Sequence, residues 1–415
     1  MSTREISADV VVVGAGPAGL TAARRLREAG IGSVLVIERE STAGGIPRHS
    51  AHTGYGLRDL RSVMTGPAYA RRLVERAEDA GARIATSTMV TGWDGDLALM
   101  ITSAHGRQRV EAKAVVLATG ARERPRPARR IPGDRPDGVL TTGQLQNLVH
   151  LQHLAVGQRA IVVGSELVSW SAVLTLREVG CTTALMTSTY DRVEAYAAFS
   201  LPGRLALGVP VARRTEVVRV IGRERVQAVE IRHLDTGARR IFECDTVVFT
   251  GDWIPDNELA RSRGLDMDPD HKGPIVDTAL RTSAAGIFAA GNLLHPVDTA
   301  DVAAIDGEHV ADQVRRFLDS GAEPPPGVRL RAAAPFRWIS PGVVRAGDPA
   351  PARSRVLLWC DKFHRAPRIQ VTQDGQSLAR TRVPWPMAPG RVFRFPSSLL
   401  HGIDPRGGDV TVGLA

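Results

Sequence analysis

Short, almost wholly apolar runs alternate with longer amphipathic stretches along this chain, and the alternation predicts its elements. Ala8-Asp9-Val10-Val11-Val12-Val13 reads as a strand, the stretch after Leu20 as a helix, and Val34-Leu35-Val36-Ile37 as a second strand ending at Glu38. Apolar runs of this length bounded by glycine turns are strand signals. Val115-Val116-Leu117 is another, ending in Ala118-Thr119-Gly120, and Ile287-Phe288-Ala289-Ala290 is a fourth, ending in Gly291-Asn292. A second strand–turn–helix–strand series starts at Ala160-Ile161-Val162-Val163-Gly164, passes through a helix to about Gly180 and resumes at Thr183-Ala184-Leu185-Met186. Residues 211–250 are strand-rich and end in Val247-Val248-Phe249-Thr250-Gly251, an echo of Leu117-Ala118-Thr119-Gly120. Residues 83–112 predict short strands with turns at Gly92, Asp94-Gly95 and Gly106. Residues 330–415 predict more of them, with turns at Asp374-Gly375, Pro389-Gly390 and Gly407-Gly408. The pattern is that of an α/β chain with strand-rich inserts and a β-rich C-terminal region.

Gly14, Gly16 and Gly19 form G-x-G-x-x-G directly between the first strand and its helix. In that setting the first glycine allows the tight turn. The second lets a pyrophosphate approach the backbone, and the third lets helix and strand pack closely. Phosphates then meet a helix N-terminus, where N–H groups and the dipole favour anions. Glu38 can accept a ribose hydroxyl and repels a 2′-phosphate, so FAD or NAD fits and NADP does not. A glycine turn without ligand is the bland alternative; strand, helix and acid falling in register argue against it.

With Ala118-Thr119-Gly120 and Gly291-Asn292, these motifs resemble the FAD-dependent pyridine nucleotide-disulfide oxidoreductases, the family of thioredoxin reductase and NADH oxidases. The resemblance covers roughly residues 8–320. It implies two Rossmann-like dinucleotide-binding domains with β-meander inserts, plus a small C-terminal β-rich domain outside the likeness. The expected boundaries are 1–125 and 278–320 for a discontinuous FAD domain, and 126–277 for an NAD(P)-binding-like domain. A linker at 321–335 and a β-rich domain at 336–415 complete the chain. The resemblance also implies FAD contacts from Gly14, Gly16, Pro17, Ala18, Gly19, Glu38, Arg39, Gly45, Ile46, Val90, Ala118, Thr119, Gly120, Gly291, Asn292 and Asp301. Asn292 stands where the family usually has Asp; it can still bond a ribityl hydroxyl but carries no charge. Asp298 or Thr299 reads as the N-cap of a following helix. In the family that helix points its N-terminus at the flavin pyrimidine edge. Asp301 is then a flavin contact or simply an acid in the first turn.

Composition removes several classes. At 415 residues, 43% hydrophobic and 23% charged, the chain is an ordinary globular enzyme of two or three domains. No run approaches the roughly 18 apolar residues of a membrane helix. Met-Ser-Thr-Arg-Glu-Ile-Ser leads straight into the first strand, leaving no room for a signal peptide, so a cytoplasmic protein is expected. The net charge of +9 is nearly all arginine spread along the chain. Arg122, Arg124, Arg126, Arg129 and Arg130 cluster among prolines without interleaved aromatics, so no nucleic-acid partner is expected. Cys181, Cys244 and Cys360 lie far apart with no C-x-x-C. That leaves no disulfide relay, no iron–sulfur cluster of about four ligands and no metal spacing.

The second glycine turn reads Gly164-Ser165-Glu166-Leu167-Val168-Ser169. Glu166 puts a carboxylate where a pyrophosphate would sit, and two like charges about 4 Å apart repel by roughly 1 kcal/mol in water and more where solvent is thin. Thr187-Ser188-Thr189 offers neither a ribose-binding acid nor an arginine pair. The second domain reads as degenerate, with NAD(P)H binding left open.

Arg48, His49, His52 and Tyr55 follow Gly44-Gly45, a segment that passes beside the isoalloxazine in the family. Arg48 suits a substrate carboxylate. His49 or His52 can take a proton from a substrate amine; their bland role is to bond FAD or each other. The character is closest to the flavin subunits of amine and amino-acid dehydrogenases, such as hydrogen cyanide synthase, opine oxidase, hydroxyproline dehydrogenase and the sarcosine oxidase large subunit. Such an enzyme takes a small-molecule substrate and works with a partner redox subunit or as a homodimer. An NAD(P)H-dependent flavin reductase and a non-catalytic flavoprotein scaffold are the alternatives.

Overall fold

The computed structural model describes residues 4–196 and 207–415. The chain divides into two compact units. The first holds the chain up to Arg48, Gly54–Ala121 and Pro255–Ala415; the second holds His49–Thr53 and Arg122–Ile254.

In the first unit one sheet runs in the order Arg83–Ala85, Val34–Ile37, Arg4–Val13, Gly106–Leu117, Ala98–Ser103 and Met89–Trp93. The first four strands are parallel; the last two fold back as an antiparallel meander. Strand Gly106–Leu117 serves both halves. Its early residues pair with the meander, and Val115–Leu117 pair in parallel with Ile287–Ala289. Val10, Val11 and Val12 are fully buried, as expected of a strand covered on both faces. Helix Pro17–Glu28 packs on helix Ala300–Ser320. Gly307 lets them approach, because a methyl there would run into the carbonyl of Ala18.

The rest of this unit is a β-module. Five strands run in the order Val343–Arg345, Gly327–Ala332, Val410–Leu414, Arg368–Gln373, Gln376–Arg382; three more run Phe336–Ser340, Arg355–Cys360, Phe393–Pro396. Both sheets feed one core, with Val328, Leu330, Ile369 and Val371 opposite Phe336, Leu358 and Phe395. Its first strand, Gly327–Ala332, falls inside the stretch 321–335 expected as linker. The cause is alternation: Val328 and Leu330 are buried while Arg329 and Arg331 project outward to Asp266 and Asp409. Residues 255–277, expected in the second domain, group with the first unit. There Asp277, 1% exposed, accepts Arg281 Nε at 2.7 Å and Arg345 Nε of the module at 2.9 Å.

The second unit repeats the plan. Val139–Thr141, Thr246–Phe249, Arg159–Val163, Thr182–Thr187 and Val211–Ala212 form a parallel sheet in that order. Thr215–Gly222, Val226–His233 and Arg239–Glu243 form an antiparallel meander. Helix Leu167–Glu178 follows the glycine turn. Among the described residues no helix is long and apolar enough to cross a membrane.

Candidate functional site

Glu38, Gly14, Ala118 and Gly291 follow the carboxyl ends of four neighbouring strands of the first sheet. Ligands of open α/β sheets bind outside such an edge. Gly14 has φ +106°, and a side chain there would lie 2.5 Å from the Ala118 carbonyl oxygen. Gly19 sits against the carbonyl of Gly14 itself. Gly16 differs from both, since no atom lies within 4 Å of where its Cβ would be. It is the N-cap of helix Pro17–Glu28, which starts without any side-chain cap. The outcome is an open, electropositive helix end.

Glu38 is 8% exposed and pinned by two amides: Ala15 N donates to Oε2 and Glu40 N to Oε1, each at 2.9 Å. Gly44 N bonds Ala15 O at 2.8 Å, which lays Gly45 over Gly16. Ile46 is half exposed, and Val90 is buried. Arg39 reaches Asp256 at 3.0 Å, and Thr119 Oγ1 donates to the Asp256 carbonyl at 2.6 Å. Gly120 follows with φ +73°. Asn292 Nδ2 donates to Asp298 O at 3.0 Å, while its Oδ1 is buried without a partner. Gly291 packs on Ala18. The structure thus gathers most of the cofactor residues named from sequence on one edge. Asp301 is occupied elsewhere: its carboxylate takes Arg58 Nη1 at 2.9 Å and Val302 N at 3.0 Å.

Beside Asn292 lies a cluster that sequence patterns did not reveal. His295 is 2% exposed, with Nε2 2.5 Å from Asp306 Oδ2, which also accepts Gly291 N at 3.2 Å. Burial alone would lower the His295 pKa; the Asp306 charge outweighs it and holds the imidazole above its ordinary range. Asp298 pairs with Arg394 of the β-module. A cavity of about 30 Å³ adjoins these groups, lined among others by His295, Asp306, Arg353 and Arg394. Only the helical spacing of Val302 and Asp306 hinted that they share a face; the arginines arrive from far along the chain.

The second glycine turn is built differently. Gly164 has φ +138°, and a Cβ there would lie 2.7 Å from Glu166 Oε2. The Glu166 carboxylate folds back into the turn and accepts Ser165 N at 3.0 Å. Its Oε1 is buried without a partner. Ser165 Oγ donates to Glu194, and Ser188 Oγ joins at 3.0 Å. Burial first and the Glu166 charge second push the Glu194 carboxyl up to about 7. Burial likewise pushes Glu123 up to about 7, with Glu166 adding to it. Three acids therefore gather about the second turn, where the first has an uncapped helix end and open space over Gly16.

Arg48 belongs to the first unit and pairs with Glu40 at 2.5 Å. His49 and His52 belong to the second. His49 is buried, and His52 Nδ1 lies 2.8 Å from Thr53 O. A carbonyl can only accept, so His52 carries its neutral-state proton on Nδ1 and the lone pair on Nε2. Cys181, Cys244 and Cys360 are free and buried, and burial pushes their thiols up to about 11, 12 and 12. None is placed or tuned for exchange.

Two dinucleotide-type folds in one chain, the first with an open glycine turn, define the class as flavin-dependent oxidoreductases. Residues 8–307 match the pyridine nucleotide-disulphide oxidoreductase family, and the chain belongs to it. It is an FAD-dependent oxidoreductase. It is 29% identical to a thioredoxin reductase of Treponema pallidum over 70% of this chain and 90% of that one. It is 26% identical to an opine oxidase subunit of Rhizobium meliloti over 73% and 70%. The thioredoxin reductase of T. acidophilum shares the fold with a TM-score of 0.64 at 21% identity, covering 76% of this chain and 99% of that one.

Proposed function

We propose that this protein oxidises a small amine or amino acid at a carbon bonded to nitrogen, with FAD held at the first glycine turn. The observation that carries the reading is Glu166: where the first turn has Gly16 and open space, the second carries a carboxylate folded back onto the Ser165 amide. The Glu166 charge, with the part-ionised Glu123 and Glu194 behind it, opposes an anionic pyrophosphate at that turn. The absence of a close cysteine pair removes dithiol exchange as the second half-reaction. Among the relatives, the opine oxidase of Rhizobium meliloti carries the kindred activity in its name.

Gly14, Gly16, Pro17, Ala18 and Gly19 would take the pyrophosphate of FAD, Glu38 and Arg39 the adenosine ribose, and Asn292 Oδ1 a ribityl hydroxyl. Gly45, Ile46, Val90, Ala118, Thr119, Gly120 and Gly291 would wall the cofactor. The unpartnered, buried Oδ1 of Asn292 and the open space over Gly16 fit such a ligand. When bound, FAD accepts a hydride from the substrate carbon. The chain must then remove the ammonium proton first, because a cationic nitrogen has no lone pair to stabilise the imine. His52 Nε2 is the proposed acceptor, with His49 its alternate; Arg48, held by Glu40, orients the segment. Electrons leave to oxygen, a quinone or a partner redox subunit.

The test is an anaerobic titration of the yellow holoenzyme, following the visible flavin band. N-alkyl amino acids and secondary amines are expected to bleach it, and NADH and NADPH to leave it oxidised. Rapid bleaching by either nucleotide overturns the reading. It would install instead a nicotinamide-driven reductase, which the intact strand, glycine and helix of the second unit favour. His52→Ala is expected to slow bleaching by about 10²–10⁴-fold with colour retained.

A further inference from the structure

We propose that Arg353, on the β-module, is the anchor for the carboxylate of a small amino-acid substrate, in a pocket it shares with Arg394, His295 and the start of helix Ala300–Ser320. For the identity of the ligand this rests on the amine-oxidation reading above.

The argument begins with charge. Arg58 and Asp301 neutralise each other at 2.9 Å, Arg394 lies on Asp298, and His295 lies on Asp306 at 2.5 Å. Arg355 stacks over Trp385. Arg353 has no ion pair or hydrogen bond among the described residues, although it faces Arg394, Arg58, Asp298 and Asp301. Every acid of the cluster is already matched to a cation, so Arg353 and Arg355 leave positive charge over, and of the two Arg353 is not stacked on a ring. Burial and the neighbouring Arg394 depress its pKa, which means its charge is held against repulsion and favours an added anion.

Its backbone is held in place at a cost. Arg353 has φ +58° and Ser354 φ +51°, two successive side-chain-bearing residues in the left-handed region. Each costs about 1–2 kcal/mol, and such conformations persist where the surroundings impose them. The turn Ala352–Ser354 that carries them packs on helix Ala300–Ser320. The adjoining cavity of about 30 Å³ is lined by Arg353, Arg394, Ser340 and His295. His295 Nδ1 is buried without a hydrogen-bond partner beside it. A guanidinium can meet a carboxylate through paired N–H groups. Arg48, by contrast, already carries Glu40.

The experiment uses the holoenzyme and two readouts. The first is the shift in melting temperature with sodium propionate, a carboxylate without nitrogen, against equal ionic strength of chloride. The second is the anaerobic bleaching rate with N-methylglycine and proline, beside dimethylamine and pyrrolidine. Arg353→Asn removes the guanidinium while tolerating positive φ; Arg353→Lys keeps the charge. The wild type should be stabilised by propionate and should prefer the amino acids. Arg353→Asn should lose the propionate shift and weaken apparent amino-acid affinity on the order of 10- to 100-fold, with partial rescue in Arg353→Lys. Unchanged propionate binding in Arg353→Asn overturns the site. If propionate binds through Arg353 and no amine or amino acid bleaches the flavin, the site stands and the amine reading falls. Amino-acid bleaching that is equal in wild type and Arg353→Asn does the reverse.

Discussion

At the scale of single residues, the two glycine turns differ by what fills them. Gly16 has normal φ of −83° and open space where a side chain would go. Gly16→Val should therefore fold as well as wild type, with its melting temperature as apoprotein nearly unchanged, yet bind FAD at least tenfold more weakly. Flavin retention on gel filtration and a fluorescence titration of the apoprotein check this. Gly14→Val, which combines positive φ with a backbone collision, should destabilise the fold as well. In the second turn Glu194 supplies a pH signature. Its carboxyl ionises near 4.5 when unfolded and about 7 when folded, so the folded chain holds that proton more tightly. The stabilisation is complete below 4.5 and is lost as pH rises through about 7. The wild-type melting temperature should fall between pH 5 and pH 8, and Glu194→Gln, which keeps an acceptor for Ser165 and Ser188, should flatten that fall, leaving the smaller slope due to Glu123. An identical slope in the variant would refute the assignment.

At the scale of elements, the apolar runs carried most of the information. A strand buried on both faces, such as Val10–Val13, can be read from composition alone because nothing polar survives there. The Asp374-Gly375 turn was likewise legible, since two residues of that type close a hairpin between Arg368–Gln373 and Gln376–Arg382. Glu166 was legible as a departure from glycine. The inward fold of its carboxylate was not, and neither was Glu194, because neither position has a local pattern. Gly327–Ala332 was hidden by the prolines before it. The ion cluster at Asp277 was hidden because its partners are distant in sequence: Arg281 at 2.7 Å, Arg345 at 2.9 Å and Asp348 beyond Arg281. Asp277→Ala leaves Arg345 without its buried counter-charge and should destabilise the holoenzyme by about 3–5 kcal/mol in urea melts. Asp277→Asn, which retains one acceptor, should cost less. A loss under about 1 kcal/mol in the alanine variant would show the cluster to be a screened surface pair.

At the scale of the whole molecule, the question is whether the β-module is an appendage. The T. acidophilum thioredoxin reductase is covered over 99% of its length by 76% of this chain, so the shared fold is complete without a module of this size. Here the module is joined by charge as well as by packing. Arg345 meets Asp277 and Arg394 meets Asp298, two carboxylates that are 1% and 8% exposed. Gly342 N also donates to Val276 O at 2.9 Å. Deleting residues 322–415 would strip both arginines and bare Leu280, Leu294 and Val302, which line the cavity against the module. Asp277 would keep Arg281 at 2.7 Å, but Asp298 would lose its arginine, and a buried carboxylate without its counter-charge costs several kcal/mol, comparable to the roughly 5–15 kcal/mol that holds a protein folded. The truncated chain should therefore be largely insoluble, or soluble but colourless. Adding Asp298→Asn to the deletion should recover part of the soluble fraction, because the unmatched buried charge is then removed. Expression yield, flavin content and melting temperature of the three chains decide it. A yellow truncated protein with the full-length melting temperature would make the module a detachable domain and would remove the structural reason for placing Arg353 at the substrate.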